Sequence, residues 1–133
     1  MDQSQPTPTP RKVLIIEDEQ FISELYIRAL TTAGYQSKVI FDGEQALKEA
    51  ETNEYDIILL DIMLPNLTGT EILSRLRNTP NVKLIKAKII ITTNLEMSEE
   101  DRAGIESQAD GYIIKAEVTP KELVVFLNQL SLN

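Results

Sequence analysis

Three uninterrupted runs of β-branched and leucine residues constrain this chain most: Val13-Leu14-Ile15-Ile16, Ile57-Ile58-Leu59-Leu60 and Ile89-Ile90-Ile91. Apolar runs without polar alternation mark strands buried on both faces. Weaker runs near Gln36–Ile40 and Gly111–Ile114 read as the edge strands of the same sheet. Helical patterns fill the gaps. Ile22, Leu25, Tyr26, Ala29, Leu30 and Ala33 follow the i, i+3, i+4, i+7 spacing of a buried stripe, and Gly34 supplies a stop. Asp42 with Gln45, and Thr68 with Glu71, have the residue types of helix N-caps and their N3 partners, and Ser98 can begin a fourth helix. Thr119-Pro120-Lys121-Glu122 combines an N-cap, a proline at N1 and a capping-box glutamate, followed by a stripe of Leu123, Phe126, Leu127 and Leu130.

The alternation amounts to five β–α units. It predicts an α/β fold: a doubly wound, five-stranded parallel sheet with five helices in the flavodoxin-like strand order 2-1-3-4-5. A chain of 133 residues with 42% hydrophobic residues suffices for one domain and one core. Residues 1–10, MDQSQPTPTP, read as a disordered N-terminal tail, and residues 11–131 as the domain, with no second domain expected. No run reaches the length of a membrane span, and the N-terminus lacks the regions of a signal peptide, so a cytoplasmic location is the expectation.

Composition narrows the chemistry. A net charge of −8 disfavours direct nucleic-acid or membrane partners. The chain has no histidine and no cysteine, which removes histidine acid–base catalysis, cysteine nucleophiles, His/Cys zinc sites and any phosphohistidine of its own.

In an open α/β sheet, function gathers beyond the carboxyl ends of the strands. Glu17-Asp18-Glu19 follows the first predicted strand, Asp61 the third, Thr92-Thr93 ends the fourth, and Lys115 follows the fifth. Taken singly, such residues are usually turn formers, local hydrogen-bond partners or solvated surface charges. Gathered at one edge, the carboxylates repel one another and call for a cation, and all-oxygen ligation suits Mg²⁺. A metal-bound carboxylate beside a lysine and a hydroxyl is a site for a phosphoryl group, with aspartate as the natural covalent acceptor.

The stretches VLIIEDEQ, DIILLDIMLPNLTG, IIITTN and DGYIIK resemble response-regulator receiver domains over about residues 11–130. The resemblance rests on an acid pair, Asp61 with Pro65 at +4 and Gly69 at +8, then threonine and lysine, all in family order. It implies that Asp61 is the phospho-acceptor. It also implies that Glu17, Asp18, Asp61 and the Met63 backbone carbonyl hold Mg²⁺, with Asp18 a direct ligand and Glu17 acting directly or through water. Lys115 would pair with the phosphoryl group, or with Asp61 before transfer. Thr93, which fits the family spacing to Lys115 better than Thr92, would bind a phosphoryl oxygen. Tyr112 would be the aromatic switch, its ordinary alternative being a half-buried strand tyrosine.

On this resemblance the donor is a sensor histidine kinase or a histidine phosphotransfer protein, and the output is a downstream protein target. The readout face would comprise the fourth helix, fifth strand and fifth helix, at residues 98–108, 111–114 and 119–130, with Val125 a candidate contact. The chain would be a signalling switch, not an enzyme beyond its own phosphorylation and dephosphorylation. A phosphorylation-dependent homodimer and a freed monomeric surface remain alternatives.

The chain departs from the family at three positions. Ala116 replaces the usual proline after the lysine. A cis Lys115-Ala116 bond would cost about 2.5–4 kcal/mol, against about 0.5–1 before proline, so a trans bond (or a strained cis one) and an altered loop over residues 116–118 are expected. Asn94 stands where alanine or glycine is usual and would overhang the site, affecting donor access or water. Gln108 replaces a helix-ending glycine, at a cost of roughly 1 kcal/mol if the backbone there is left-handed, so a fourth helix that ends differently or is more mobile is the expected consequence.

Rival functions on the same fold fare worse. A haloacid-dehalogenase-type phosphatase needs an acid two residues after its nucleophile, where this chain has Met63, and a flavodoxin would not place Glu17-Asp18-Glu19 against a phosphate. The remaining alternative is a pseudo-receiver, a protein-binding module independent of phosphorylation.

Overall fold

The uninterrupted runs form the centre of the sheet because their side chains alternate between two apolar layers. Val13 and Ile15, Ile57 and Leu59, and Ile90 face one layer, while Leu14 and Ile16, Ile58 and Leu60, and Ile89 and Ile91 face the other. The structure, a computed structural model, describes residues 11–78, 85–94 and 97–130. The expected tail at residues 1–10 and the last residue of the expected domain, Ser131, lie outside the described residues.

The strands are β1 (Lys12–Ile16), β2 (Gln36–Ile40), β3 (Ile57–Asp61), β4 (Lys88–Thr93) and β5 (Gly111–Ile114). They form one parallel sheet in the order β2-β1-β3-β4-β5, as the sequence predicts. The helices are α1 (Gln20–Thr32), α2 (Gly43–Glu51), α3 (Gly69–Asn78), α4 (Glu99–Glu106) and α5 (Pro120–Asn128), with a 3₁₀ turn at Lys115–Glu117. Tyr26 and Leu30 of α1 and Leu123 and Leu127 of α5 cover one face. Ala46 and Ala50 of α2, Ile72, Leu73 and Leu76 of α3, and Ile105 of α4 cover the other.

The expected caps are in place. Asp42 accepts the Gln45 N–H at 3.0 Å, Thr68 that of Glu71 at 3.2 Å and Ser98 that of Asp101 at 3.1 Å. Thr119 and Glu122 close a reciprocal capping box, with bonds of 2.9 and 3.1 Å.

One expectation needs correction, and one conditional expectation is resolved. The buried stripe of α1 is rotated: Ser23 is buried with its hydroxyl donating to Gln20 O at 2.9 Å, whereas Ala33 is exposed and Leu25 and Ala29 are half-buried. Those three line an open groove against the first turn of α5, so they face a neighbouring helix end and not the sheet. Gln108 carries no left-handed backbone. Among the described residues, the non-glycine positive φ angles belong to Asn53 (59°) and Asn66 (69°). The fourth helix ends earlier, with Ser107 in a right-handed cap, and Gln108 O accepts a hydrogen bond from Arg77 Nε at 3.0 Å.

Candidate functional site

Strand register assembles the site before any side chain is considered. Ile16 pairs with Leu60, so the next residues, Glu17 and Asp61, emerge side by side. Asp61 in turn pairs with Thr92, and Thr93 with Ile114, the residue before Lys115. Parallel strands all point one way, so these residues collect at a single edge.

Lys115 reaches into the acids from the end of β5. Its Nζ lies 2.6 Å from Glu17 Oε1, 3.0 Å from Asp61 Oδ2 and 3.8 Å from Glu19 Oε1. The side chains of Lys115, Glu17 and Asp61 are all nearly fully buried, while Glu19 is exposed. The other Asp61 oxygen, Oδ1, accepts the Met63 N–H at 3.1 Å, which orients the carboxylate. Glu17 Oε2 likewise accepts the Glu19 N–H at 3.1 Å.

Gly69 explains itself here. A Cβ at that position would stand 2.1 Å from the Asp61 carbonyl oxygen and 2.7 Å from Ile62 Cα. Any side chain would therefore push α3 away from the backbone that carries Asp61.

The electrostatics are unbalanced. Burial pushes the Glu17 carboxyl up to about 7, the Lys115 contact opposes that rise, and the nearby Asp61 charge adds to it. Burial would lower the Lys115 ammonium, but its contacts with Glu17 and Asp61 prevail and raise it above the ordinary lysine value. Glu17 Oε1 is held by the Lys115 ammonium in a short ion pair of 2.6 Å. Among the described residues, no backbone group or other side chain donates to that oxygen.

A buried carboxylate oxygen whose one neighbour is an ammonium can accept a further donor or a cation. Glu17, Asp18 and Asp61 each present one carboxylate oxygen, and these three lie within 4.8 Å of one another. Three hard oxygen donors of this kind fit a divalent cation such as Mg²⁺. Asp18 is exposed and offers the solvent side of that cradle. Met63 is also exposed, two residues beyond Asp61, on the turn expected to supply a backbone carbonyl.

Thr93 is buried at the end of β4. By strand alternation it shares its sheet face with Ile91, and Ile91 pairs with Tyr112, so Thr93 and Tyr112 are diagonal neighbours on the α4 side. Tyr112 is half-buried, and the Arg102 guanidinium stacks 4.5 Å from its ring centroid. Sequence reasoning missed Arg102 because an arginine on an acidic surface helix carries no local signal of a ring beneath it. The Lys115–Ala116 bond is trans, since no described peptide bond is cis.

Comparison with known proteins agrees with this geometry. The family model for the response regulator receiver domain matches residues 13–128. The response regulator ArlR of Staphylococcus saprophyticus is 38% identical over 104 residues, covering 78% of this chain but 45% of that protein. The chain thus spans less than half the length of that relative. A CheY-like receiver domain protein from Methanospirillum hungatei superposes with a TM-score of 0.77 at 25% identity, covering 91% of this chain and 93% of that one. The receiver domain of a sensor histidine kinase from Pseudomonas aeruginosa superposes at 0.76 with 26% identity, covering 91% and 97%. Its structure has magnesium coordinated in the active-site cleft.

Proposed function

Because this chain belongs to the response regulator receiver domain family of two-component signalling, we propose that it is a Mg²⁺-dependent switch that accepts a phosphoryl group on Asp61. The observation that carries the reading is the buried Asp61–Lys115–Glu17 cluster, with Asp18 completing an acid cradle.

Transfer proceeds by attack of an Asp61 carboxylate oxygen on the phosphorus of a phosphohistidine. The O–P bond forms as the P–N bond breaks, and the imidazole leaves with the electron pair and takes up a proton. A Mg²⁺ held by Glu17, Asp18, Asp61 and the Met63 carbonyl would supply positive charge opposite the phosphoryl oxygens. Lys115, already 3.0 Å from Asp61, supplies a further positive charge to the phosphoryl oxygens. Thr93 binds a phosphoryl oxygen and shifts toward it, and Tyr112 moves into the space beside Thr93. The new contacts favour the active state and thereby shift a two-state equilibrium.

The donor in this reading is a histidine kinase or phosphotransfer protein, and the output is protein binding at α4, β5 and α5. Exposed Phe21, Phe41 and Met63 stand on the segments after β1, β2 and β3, at the same edge as Asp61, and offer apolar contact to a protein donor. Val125, 56% exposed on α5, does so on the output face. No described helix is long and apolar enough to cross a membrane, and a kinase-fed switch would work in the cytoplasm. The chain would not turn over substrate beyond its own aspartyl phosphate. A binding module independent of phosphorylation has no use for this acid–lysine cluster, so that reading is not favoured.

Beryllofluoride, a non-covalent phosphoryl mimic, provides the test of switching. With Mg²⁺ it should saturate the protein and shift the NMR signals of Thr93 and the Tyr112 ring, with no effect on Asp61→Asn. Shifts that need no Mg²⁺, or that persist in Asp61→Asn, would contradict the reading.

A further inference from the structure

Ala116 carries an N–H that a proline in its place would lack. That N–H opens the 3₁₀ turn at Lys115–Glu117, where the first donors have no partner within the turn. Asn94 supplies one from another loop: Ala116 N donates to Asn94 Oδ1 at 2.7 Å, across 22 residues of sequence. Each partner is covalently next to a site residue, Asn94 to Thr93 and Ala116 to Lys115. Asn94 and Ala116 also line the open cavity that Tyr112 and Arg102 line.

We propose that Asn94 is a positioning residue that clips the loop after β4 to the loop after β5, holding the backbone that aims Lys115 between Glu17 and Asp61. The two family departures at these positions are then one device, with Asn94 serving an N–H that only a non-proline residue offers. The clip adds a link beyond the β4–β5 pairing that already joins Thr93 to Ile114, so a displacement of Thr93 is passed to the turn that carries Lys115. This inference rests on the phosphorylation reading for its effect on rate, but not for the clip itself.

The test uses the full chain and two readouts. In the metal-free protein, Asn94→Ala should speed hydrogen exchange at the Ala116 amide, while Asn94→Asp, which keeps the acceptor, should preserve protection. With Mg²⁺ and acetyl phosphate, Asn94→Ala should slow Asp61 phosphorylation roughly three- to tenfold, the range one hydrogen bond supports. In an Ala116→Pro background, which has no N–H to accept, Asn94→Ala should change the rate no further. Thermal melts within a few degrees of the parent would establish that the variants fold.

Unchanged Ala116 exchange in Asn94→Ala would overturn the proposal, as would an equal loss of rate in the proline background. A parent protein that takes no phosphoryl group would sink the proposed function instead. The clip would then stand or fall on amide exchange and on whether Asn94→Ala shifts the Lys115 ammonium resonance.

Discussion

Lys115→Ala will destabilise the metal-free protein by about 3 kcal/mol at pH 8, measured by urea unfolding, because it removes one partner from a buried charge cluster. The side chain contacts Glu17 and Asp61 at 2.6 and 3.0 Å with almost no access to water. Without it, two buried carboxylates face each other with no cation. The loss should shrink at pH 6, where Glu17, already pushed up to about 7, relieves the repulsion by taking a proton. The same variant should phosphorylate from acetyl phosphate at least about 100-fold more slowly, since a charge aimed at the phosphoryl oxygens is gone. A loss of stability below about 1 kcal/mol at pH 8 would mean that Lys115 does not hold the acids together.

Glu17→Gln should act in the opposite direction on stability. The folded-state value of Glu17 is raised from 4.5 to about 7. The folded chain therefore binds more protons than the unfolded chain between those values. Its contribution to stability is fully present below about 4.5 and is lost as pH rises through about 7. At pH 8 the ionised Glu17 opposes folding, chiefly through burial, so Glu17→Gln should stabilise the metal-free protein by on the order of 2 kcal/mol. Near pH 4.5 the gain should vanish. Mg²⁺ affinity should fall in the variant, because one of the three clustered carboxylates is lost. Stability would thus be given up at this carboxylate in exchange for a cation site. A variant less stable than the parent at pH 8 would refute the assignment of Glu17 as a destabilising acid.

Much of this arrangement was legible in the sequence for physical reasons that can be stated residue by residue. Runs such as Ile57-Ile58-Leu59-Leu60 must be buried on both faces, and three of them, with two weaker edge runs and helical patterns in between, leave little choice of topology. Strand ends then predict which residues meet, because the parallel register carries Glu17, Asp61 and Lys115 to one edge. The phase of α1 was not legible. Leu25, Ala29 and Ala33 satisfy the helical period as well as Ser23 does, and only the position of α5 decides which of them is covered. Gln108 signalled that the fourth helix could not end on a glycine, but not how it would end; here it stops through Ser107 and the Arg77 contact. Asn94 was recognisable as unusual, but its partner was not, because Asn94 and Ala116 meet only through tertiary structure.

The central claim is that Asp61 is a Mg²⁺-dependent phosphoryl acceptor. Intact mass spectrometry after incubation with acetyl phosphate and Mg²⁺ tests it most directly, with Asp61→Asn and a metal-free sample alongside. The account predicts a single phosphoryl adduct on the parent chain, absent from both controls. A folded parent protein that acquires no adduct, or an adduct that persists in Asp61→Asn, would contradict it.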